Sequence, residues 1–247
     1  MKSQKNVIVL QSFRNYDVPS WIYRCQDSVK NFALEQGYQY EFLGDEFFDF
    51  APQWAREVCA QNIWSLSDIC RLEWMKKCLA DKVDVVIWAD IDILIFDQRQ
   101  IILELEKSFG FSYELYFDTE GAHHGLNNAF MFFSRGSDML ERYLDFSYER
   151  LKAEANKTER TGIGPDLLRT MEISNAHIIH GITILNIKMM EEVFRNPTKG
   201  IPDFITSKTK GAIGAVNLCL NERQCFAENA RYSYDFIVDE VSRTLIK

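Results

Sequence analysis

VDVVIWADIDILIF, at residues 83–96, is an apolar and largely β-branched stretch that is interrupted by two aspartates. Such a run is typical of a strand that is buried on both faces of a sheet. Gly, Pro, Asn and Ser are absent from it, so the composition predicts a continuous extended segment rather than a turn. Because side chains alternate in an extended segment, Asp90 and Asp92 are predicted to point to the same side.

Two carboxylates on one side of a buried strand repel each other and need a counter-charge. A divalent metal ion fits Asp90 and Asp92 best. The plainer alternative is a strand that ends in a polar turn, with both carboxylates in solvent. An Asp-x-Asp at the end of a buried strand serves either to hold a metal-bound nucleotide diphosphate or to form an aspartyl-phosphate in a phosphatase.

The composition of the 247 residues, 47% hydrophobic and 26% charged, is that of a globular chain with one sizeable core. A formal net charge of −8 argues against a general nucleic-acid-binding protein, which needs a basic face. We expect no membrane span and no signal peptide, since no apolar run has the required length. The six cysteines form no CxxC pair, which favours reduced thiols and a cytoplasmic location.

The first part of the chain predicts the strand, helix, strand opening of a parallel α/β sheet. Residues 6–13 are predicted as a buried strand, residues 19–37 as a helix and residues 38–44 as a second strand. Ligand sites in such sheets lie at the carboxyl ends of the strands. Gln11 and Ser12 are predicted to lie at such an end.

The remaining predicted elements are mostly alternating helices and strands. They are a mostly helical region at 49–81 with Ser65 or Ser67 as the N-cap of its second helix, a short amphipathic helix at 98–107, a strand at 109–117, a loop at 118–126, a strand at 127–134, a helix at 138–155, a turn at 161–166 and two short strands within 176–185. In the loop, His123 and His124 are expected to be solvated rather than metal ligands.

Asp68 and Arg71 lie three residues apart, hence on one face of the predicted helix near its beginning. Taken alone, the pair fits a first-turn aspartate that the helix dipole favours and that pairs loosely with an arginine. Their position immediately before the strand that carries Asp90 favours a functional role.

Four blocks carry a resemblance to a known family: SDICRLEWMKKCLA (67–80), WADIDILIF (88–96), NNAFMFFSRG (127–136) and TGIGPDLL (161–168). In order and spacing they resemble the DXD-containing glycosyltransferases of GT-A fold. That group includes the yeast initiating α-1,6-mannosyltransferase, α-1,4-galactosyltransferases, bacterial capsular-polysaccharide transferases and, more distantly, clostridial glucosylating toxins. The opening segment, residues 18–46, is also similar to the start of that group, so the resemblance covers most of the chain.

The resemblance implies one α/β domain of GT-A fold over residues 1–247, with a Rossmann-like, mostly parallel sheet flanked by helices. Residues 1–120 would mainly bind the nucleotide sugar, and residues 121–247 would form the acceptor side and close the site. The implied reaction moves a sugar from a UDP- or GDP-sugar to a glycan or other hydroxyl acceptor, with retention of configuration. The absence of an evident general base for inversion is consistent with retention.

The resemblance also implies roles for single residues. Asp92 would be a direct ligand of a catalytic Mn²⁺ or Mg²⁺, and Asp90 would touch the ribose or sugar and reach the metal directly or through water. The other implied positions are Asp68 and Arg71 against the donor sugar and diphosphate, Gln11 and Ser12 near the base, Asn127 and Asn128 at the reaction centre, and Gly164, Pro165 and Asp166 on the acceptor side. The cation would stabilise the charge that develops on the leaving diphosphate.

One block departs from the family pattern. The group often carries a metal-binding histidine in a sequence resembling Ala-Val-His-Leu, whereas residues 215–218 read AVNL. An amide oxygen suits a hard cation, so Asn217 is predicted to be a metal ligand in place of that histidine. The alternative is that Asn217 only caps or turns the chain.

Two other functions compete with sugar transfer. In an Asp-x-Asp phosphatase Asp90 would be the nucleophile, but Ile93 stands where that class has Thr or Val, and no downstream Asp-Asp pair follows. A non-catalytic module that binds sugars or nucleotides is the second alternative. Turnover of a nucleotide sugar, or of a simple phosphoester, discriminates among the three.

Overall fold

The computed structural model describes residues 5–60, 62–117, 122–153, 162–184, 212–219 and 238–239. Its strands and α-helices, in chain order, are β1 (Val7–Ser12), α1 (Ser20–Glu35), β2 (Gln39–Leu43), α2 (Gln53–Val58), α3 (Ile63–Ala80), β3 (Val85–Ala89), β4 (Ile93–Ile95), β5 (Phe109–Phe117), β6 (Ala122–Ser134), α4 (Asp138–Ala153), α5 (Pro165–Thr170), β7 (His177–Ile179), β8 (Ile182–Ile184) and β9 (Ala215–Asn217). Short 3₁₀ helices occur at Asp45–Phe50 and Gln98–Gln100.

The central sheet has six strands in the order β2-β1-β3-β6-β5-β7. The pairs β1–β2, β1–β3 and β5–β7 are parallel, whereas β6 runs antiparallel to both of its neighbours. A second sheet contains β4, β9 and β8. The predicted fold class, α/β with a mostly parallel central sheet flanked by helices, is confirmed.

β3 is buried on both faces, as its apolar sequence predicts. Val86 and Trp88 pack in the same core as buried residues of α3 and α4. Val85 and Ile87 point to the other face, in a core with residues of α1 and β4. Since β1 and β3 are parallel neighbours, their carboxyl ends lie side by side and bring Gln11 close to Asp90.

The predicted continuous strand through both aspartates is wrong. β3 ends at Ala89, and the backbone N–H of Ile93 donates to the Asp90 carbonyl at 3.1 Å, which closes a four-residue turn. Turns of the commonest type accept almost any residue, so the absence of Gly and Pro did not exclude one here. The apolar residues after the turn form β4 in the second sheet, and Asp92 is buried rather than solvated.

Three other predictions of local structure are also wrong. α3 begins at Ile63 with Asn62 as its N-cap, whose side chain accepts from the Ser65 N–H, so both predicted serine caps lie inside the helix. The only helix in the stretch 98–107 is the 3₁₀ helix at Gln98–Gln100, and of the apolar residues after it Ile101, Leu103 and Leu105 pack against the core whereas Ile102 is exposed. β6 begins at Ala122, so His123 and His124 belong to a long β5–β6 hairpin rather than a loop.

The described cysteines are buried and form no disulfide among themselves. Burial raises the pKa of the Cys70 and Cys78 thiols to about 12. Cys225 and the end of the predicted 138–155 helix lie outside the described residues. Within the described ranges, no helix combines the length and apolar character that crossing a membrane requires.

Candidate active site

Arg71 on α3 is buried and joins three segments of the chain. Its Nη1 lies 2.9 Å from Asp90 Oδ1, and its Nη2 lies 3.4 Å from Asp68 Oδ1. Nη1 also donates to the backbone carbonyl of Asn128 at 3.3 Å. Burial by itself lowers the pKa of the guanidinium, but the charges of Asp90 and Asp68 raise it above its ordinary value. Arg71 is therefore a permanent positive charge between two carboxylates.

Only one of the two carboxylate oxygens of Asp68 has a hydrogen-bond partner within the part of the chain that the structure describes. Oδ1 accepts from Asn128 Nδ2 at 3.0 Å, in addition to its contact with Arg71. The Asp68 side chain is only 3% exposed, and its Oδ2 has no hydrogen-bond partner among the described residues. A Cβ at Gly164 would lie 3.5 Å from this oxygen and 3.2 Å from Asn128 Oδ1. Gly164 therefore lies directly against the two acceptor oxygens, where the backbone leaves little room for a side chain.

The strand ends beside this cluster are tied together by Gln11. Its Nε2 donates to the Asp90 carbonyl at 3.2 Å, and its Oε1 accepts from the Tyr40 hydroxyl at 3.0 Å. The Asp90 N–H in turn donates to the Ala129 carbonyl at 2.7 Å. Ser12 lies at the end of β1 and is half-buried. The observed contacts of Gln11 support the end of β3, and contact of Gln11 or Ser12 with a base stays a prediction.

Asp92 lies next to β9, on the other side of the turn. The Leu218 N–H donates to the Asp92 carbonyl at 3.0 Å, and Asn217 pairs with Ile93 in register. The Asn217 side chain is buried, and its Oδ1 accepts from the Cys219 N–H at 2.8 Å. That bond is the turn-forming contact of the alternative interpretation, and it uses one of two lone pairs on the oxygen. The backbone thus places Asn217 beside the Asp92 turn.

Asn127 and Asp166 make contacts different from those of the Arg71 cluster. Asn127 Oδ1 accepts from the Ala129 N–H at 2.6 Å, and its side chain lines a small cavity together with Asn217. Asp166 is exposed and pairs with Arg169 at 2.7 Å. The structure therefore groups Asp68, Arg71, Asp90 and Asn128 with Gly164, whereas Asn127 lies by β9 and Asp166 at the surface.

Two aromatic residues belong to the site although the sequence analysis gave neither of them a role. Trp88 donates from Nε1 to Asp90 Oδ1 at 2.7 Å. Tyr143 on α4 donates from its buried hydroxyl to the Ile163 carbonyl at 3.1 Å, and burial and the charge of Asp68 raise its pKa well above the ordinary value. Trp88 could have been found, because it lies on β3 two residues before Asp90, which directly follows the strand. Tyr143 has no such local signal, since only the packing of α4 brings it here.

The donor atoms around the turn are chemically suited to a hard divalent cation. The described residues hold no group of three His, Cys, Asp or Glu side chains arranged for a metal. Asp90 and Asp92 instead supply carboxylate oxygens, and Asn217 on the adjoining strand supplies an amide oxygen. Mg²⁺ is commonly bound by one or two carboxylates, with waters and substrate phosphates completing its shell. The residues present therefore fit Mg²⁺ or Mn²⁺ by the type of ligand that they offer.

No protein-family model and no curated protein sequence matches the chain. Among solved structures, a glycosyltransferase involved in the glycosylation of the major capsid of PBCV-1 is 15% identical, with a TM-score of 0.49 over 90% of this chain and 98% of that chain. The PaToxG glycosyltransferase is 13% identical, with a TM-score of 0.41 over 98% of this chain and 86% of that chain. Identities this low concern the fold alone, so function must be inferred from the site.

Proposed function

We propose that this protein is a metal-dependent glycosyltransferase that moves a sugar from a nucleotide-diphosphate sugar to a hydroxyl acceptor. The observation that carries the proposal is the buried cluster in which Arg71 joins Asp68, Asp90 and Asn128 and the second oxygen of Asp68 has no described partner. An unsatisfied buried acceptor is unfavourable by about 1–3 kcal/mol or more. A sugar hydroxyl is a donor that would satisfy it.

The residues of the cluster and of the neighbouring turn have separate roles in donor binding and in stabilisation of the leaving group. Arg71 holds Asp68 and Asp90 in fixed positions. Its positive charge would attract the diphosphate of the donor. Asp68 and Asn128 offer oxygens that orient sugar hydroxyls. Asp92, Asp90 and Asn217 would hold Mn²⁺ or Mg²⁺, whose charge stabilises the leaving diphosphate. Retention of configuration is proposed on the sequence resemblance alone.

Slow hydrolysis of nucleotide sugars tests this function without knowledge of the acceptor. Purified protein is incubated with a panel of UDP- and GDP-sugars, with Mn²⁺, with Mg²⁺ or with excess chelator. We expect release of nucleoside diphosphate from at least one donor, dependent on the cation. Phosphate release from a simple phosphoester instead would indicate a phosphatase. Donor binding without any turnover in the presence of acceptor sugars would indicate a binding module.

Substitution of Asn217 is the most specific test of the proposed metal site. Replacing even a residue that only supports a metal ligand typically weakens metal affinity by about 10–100-fold, and we expect a loss of at least this size for Asn217→Ala. Imidazole is a better ligand than an amide for a borderline metal, so Asn217→His should increase the preference for Mn²⁺ over Mg²⁺. Titration of both metals in the presence of donor measures these effects.

The control for that test must preserve the turn at Cys219, because Asn217→Ala also removes the acceptor of the Cys219 N–H. Asn217→Asp keeps this acceptor and is expected to bind the cation at least as tightly as the wild type. Equal metal dependence in all four proteins would remove Asn217 from the site and leave it as a turn residue.

A further inference from the structure

Trp88 and Arg71 converge on the same oxygen of Asp90. Trp88 Nε1 donates to Asp90 Oδ1 at 2.7 Å, and Arg71 Nη1 lies 2.9 Å from that oxygen. The guanidinium carbon of Arg71 also lies 4.9 Å from the centre of the Trp88 ring, within cation–π range. Two donors that also contact each other thus hold the Oδ1 atom of Asp90.

The indole that makes this bond is itself held rigidly. Trp88 is 2% exposed, and its ring stacks on Phe47 with centroids 5.6 Å apart. Trp74 packs edge-on against it at 6.3 Å. Trp88 is the last but one residue of β3 and Asp90 directly follows the strand, so the end of β3 aims the indole N–H at Asp90. The hydrogen bond is therefore built into the aromatic core rather than made by a mobile surface group.

We propose that Trp88 is a positioning residue that fixes the orientation of the Asp90 carboxylate toward the ligand. With Oδ1 accepting from Trp88 and Arg71, the carboxylate of Asp90 is held in one orientation against the cation or sugar hydroxyl that it would bind. Outer hydrogen bonds of this kind fix the orientation of a ligating carboxylate before the ligand arrives. The inference rests on the proposed function, since the ligand of Asp90 is taken to be the donor sugar or the cation bound with it.

Trp88→Phe removes the N–H and keeps an aromatic ring in the core. Trp74→Phe is the matched control, because Trp74 is equally buried in the same cluster and makes no described contact with Asp90. Mn²⁺ affinity is measured by electron paramagnetic resonance in the presence of UDP and of GDP. We expect affinity to fall about tenfold in Trp88→Phe and to remain at the wild-type value in Trp74→Phe, although both variants lose stability.

The indole N–H resonances of ¹⁵N-labelled protein provide a readout that does not depend on turnover. The Trp88 signal is assigned by its loss in Trp88→Phe, and it should move in Asp90→Asn and on addition of Mg²⁺ with nucleotide. Equal affinities in the two tryptophan variants, or a Trp88 resonance that Asp90→Asn leaves in place, would overturn the inference alone. A wild-type protein that binds no cation with either nucleotide would overturn the proposed function as well.

Discussion

Asp92→Asn is expected to reduce nucleotide-sugar turnover by about a hundredfold to a thousandfold, the loss seen when one group that stabilises developing charge is removed. The substitution exchanges a charged oxygen ligand for a neutral amide of nearly the same shape. Asp92 is only 7% exposed, so the volume of its side chain must be preserved. Its backbone carbonyl accepts from Leu218, and asparagine retains that bond to the second sheet. We therefore expect a folded but inactive protein.

The measurement is the hydrolysis rate at saturating donor and Mn²⁺, together with the melting temperature without metal. Asp84→Asn is the control, because Asp84 lies just before the opposite end of β3 and its carboxylate accepts from the Asn6 N–H. It should keep the wild-type rate. Full activity of Asp92→Asn, or of the wild type in excess chelator, would show that turnover does not use a cation at Asp92.

The order of elements around the site could be predicted from sequence because local patterns determine it. The apolar run before Asp90 is a buried strand, and the i, i+3 spacing of Asp68 and Arg71 places both on the face of α3 that meets it. Neither inference needed knowledge of the second sheet. Periodicity therefore predicts Asp68 and Arg71 on one helix face and Asp90 at a strand end, and the resemblance implied that the three residues share a site.

The turn after β3 could not be predicted in the same way. Ile91 and Ile93 look like a continuation of the strand, but Ile91 packs in a core with Leu94 and Val216, and Ile93 pairs with β9. Apolar residues indicate burial, and they do not indicate which sheet buries them. The prediction that Asp90 and Asp92 point to the same side assumed a continuous strand, and the turn after Ala89 shows that this assumption was wrong.

Asn127 and Asn128 on β6 show a second limit of predicting site residues from sequence. The resemblance placed Asn127 and Asn128 together at the reaction centre, yet Asn128 contacts Asp68 and Asn127 lines the cavity beside Asn217. Neighbouring side chains on a strand leave it in opposite directions, so one motif here serves two regions. A resemblance points to whole segments, whereas the contacts of each residue depend on the register and bulges of this sheet.

Arg71 is the position where substitution should affect both stability and catalysis. Arg71→Ala leaves Asp68 and Asp90 without their shared guanidinium, and breaking a buried pair in this way destabilises by about 3–5 kcal/mol. Arg71→Lys keeps the charge, but one ammonium cannot reproduce the planar contacts to both carboxylates and to the Trp88 ring. We expect Arg71→Lys to fold and to lose most of its turnover.

Urea unfolding, donor affinity and hydrolysis rate separate these effects for each variant. Arg135→Lys is the matched control, because Arg135 donates twice to the Val83 carbonyl at the far end of β3 and lies outside the cluster. Loss of the Arg135 bonds should lower stability without changing donor affinity. If Arg71→Lys behaves like Arg135→Lys, with normal donor binding and turnover in the folded protein, the Asp68–Arg71 face is structural. If the guanidinium instead holds Asp68 and Asp90 in position for the ligand, Arg71→Lys loses donor affinity and Arg135→Lys keeps it.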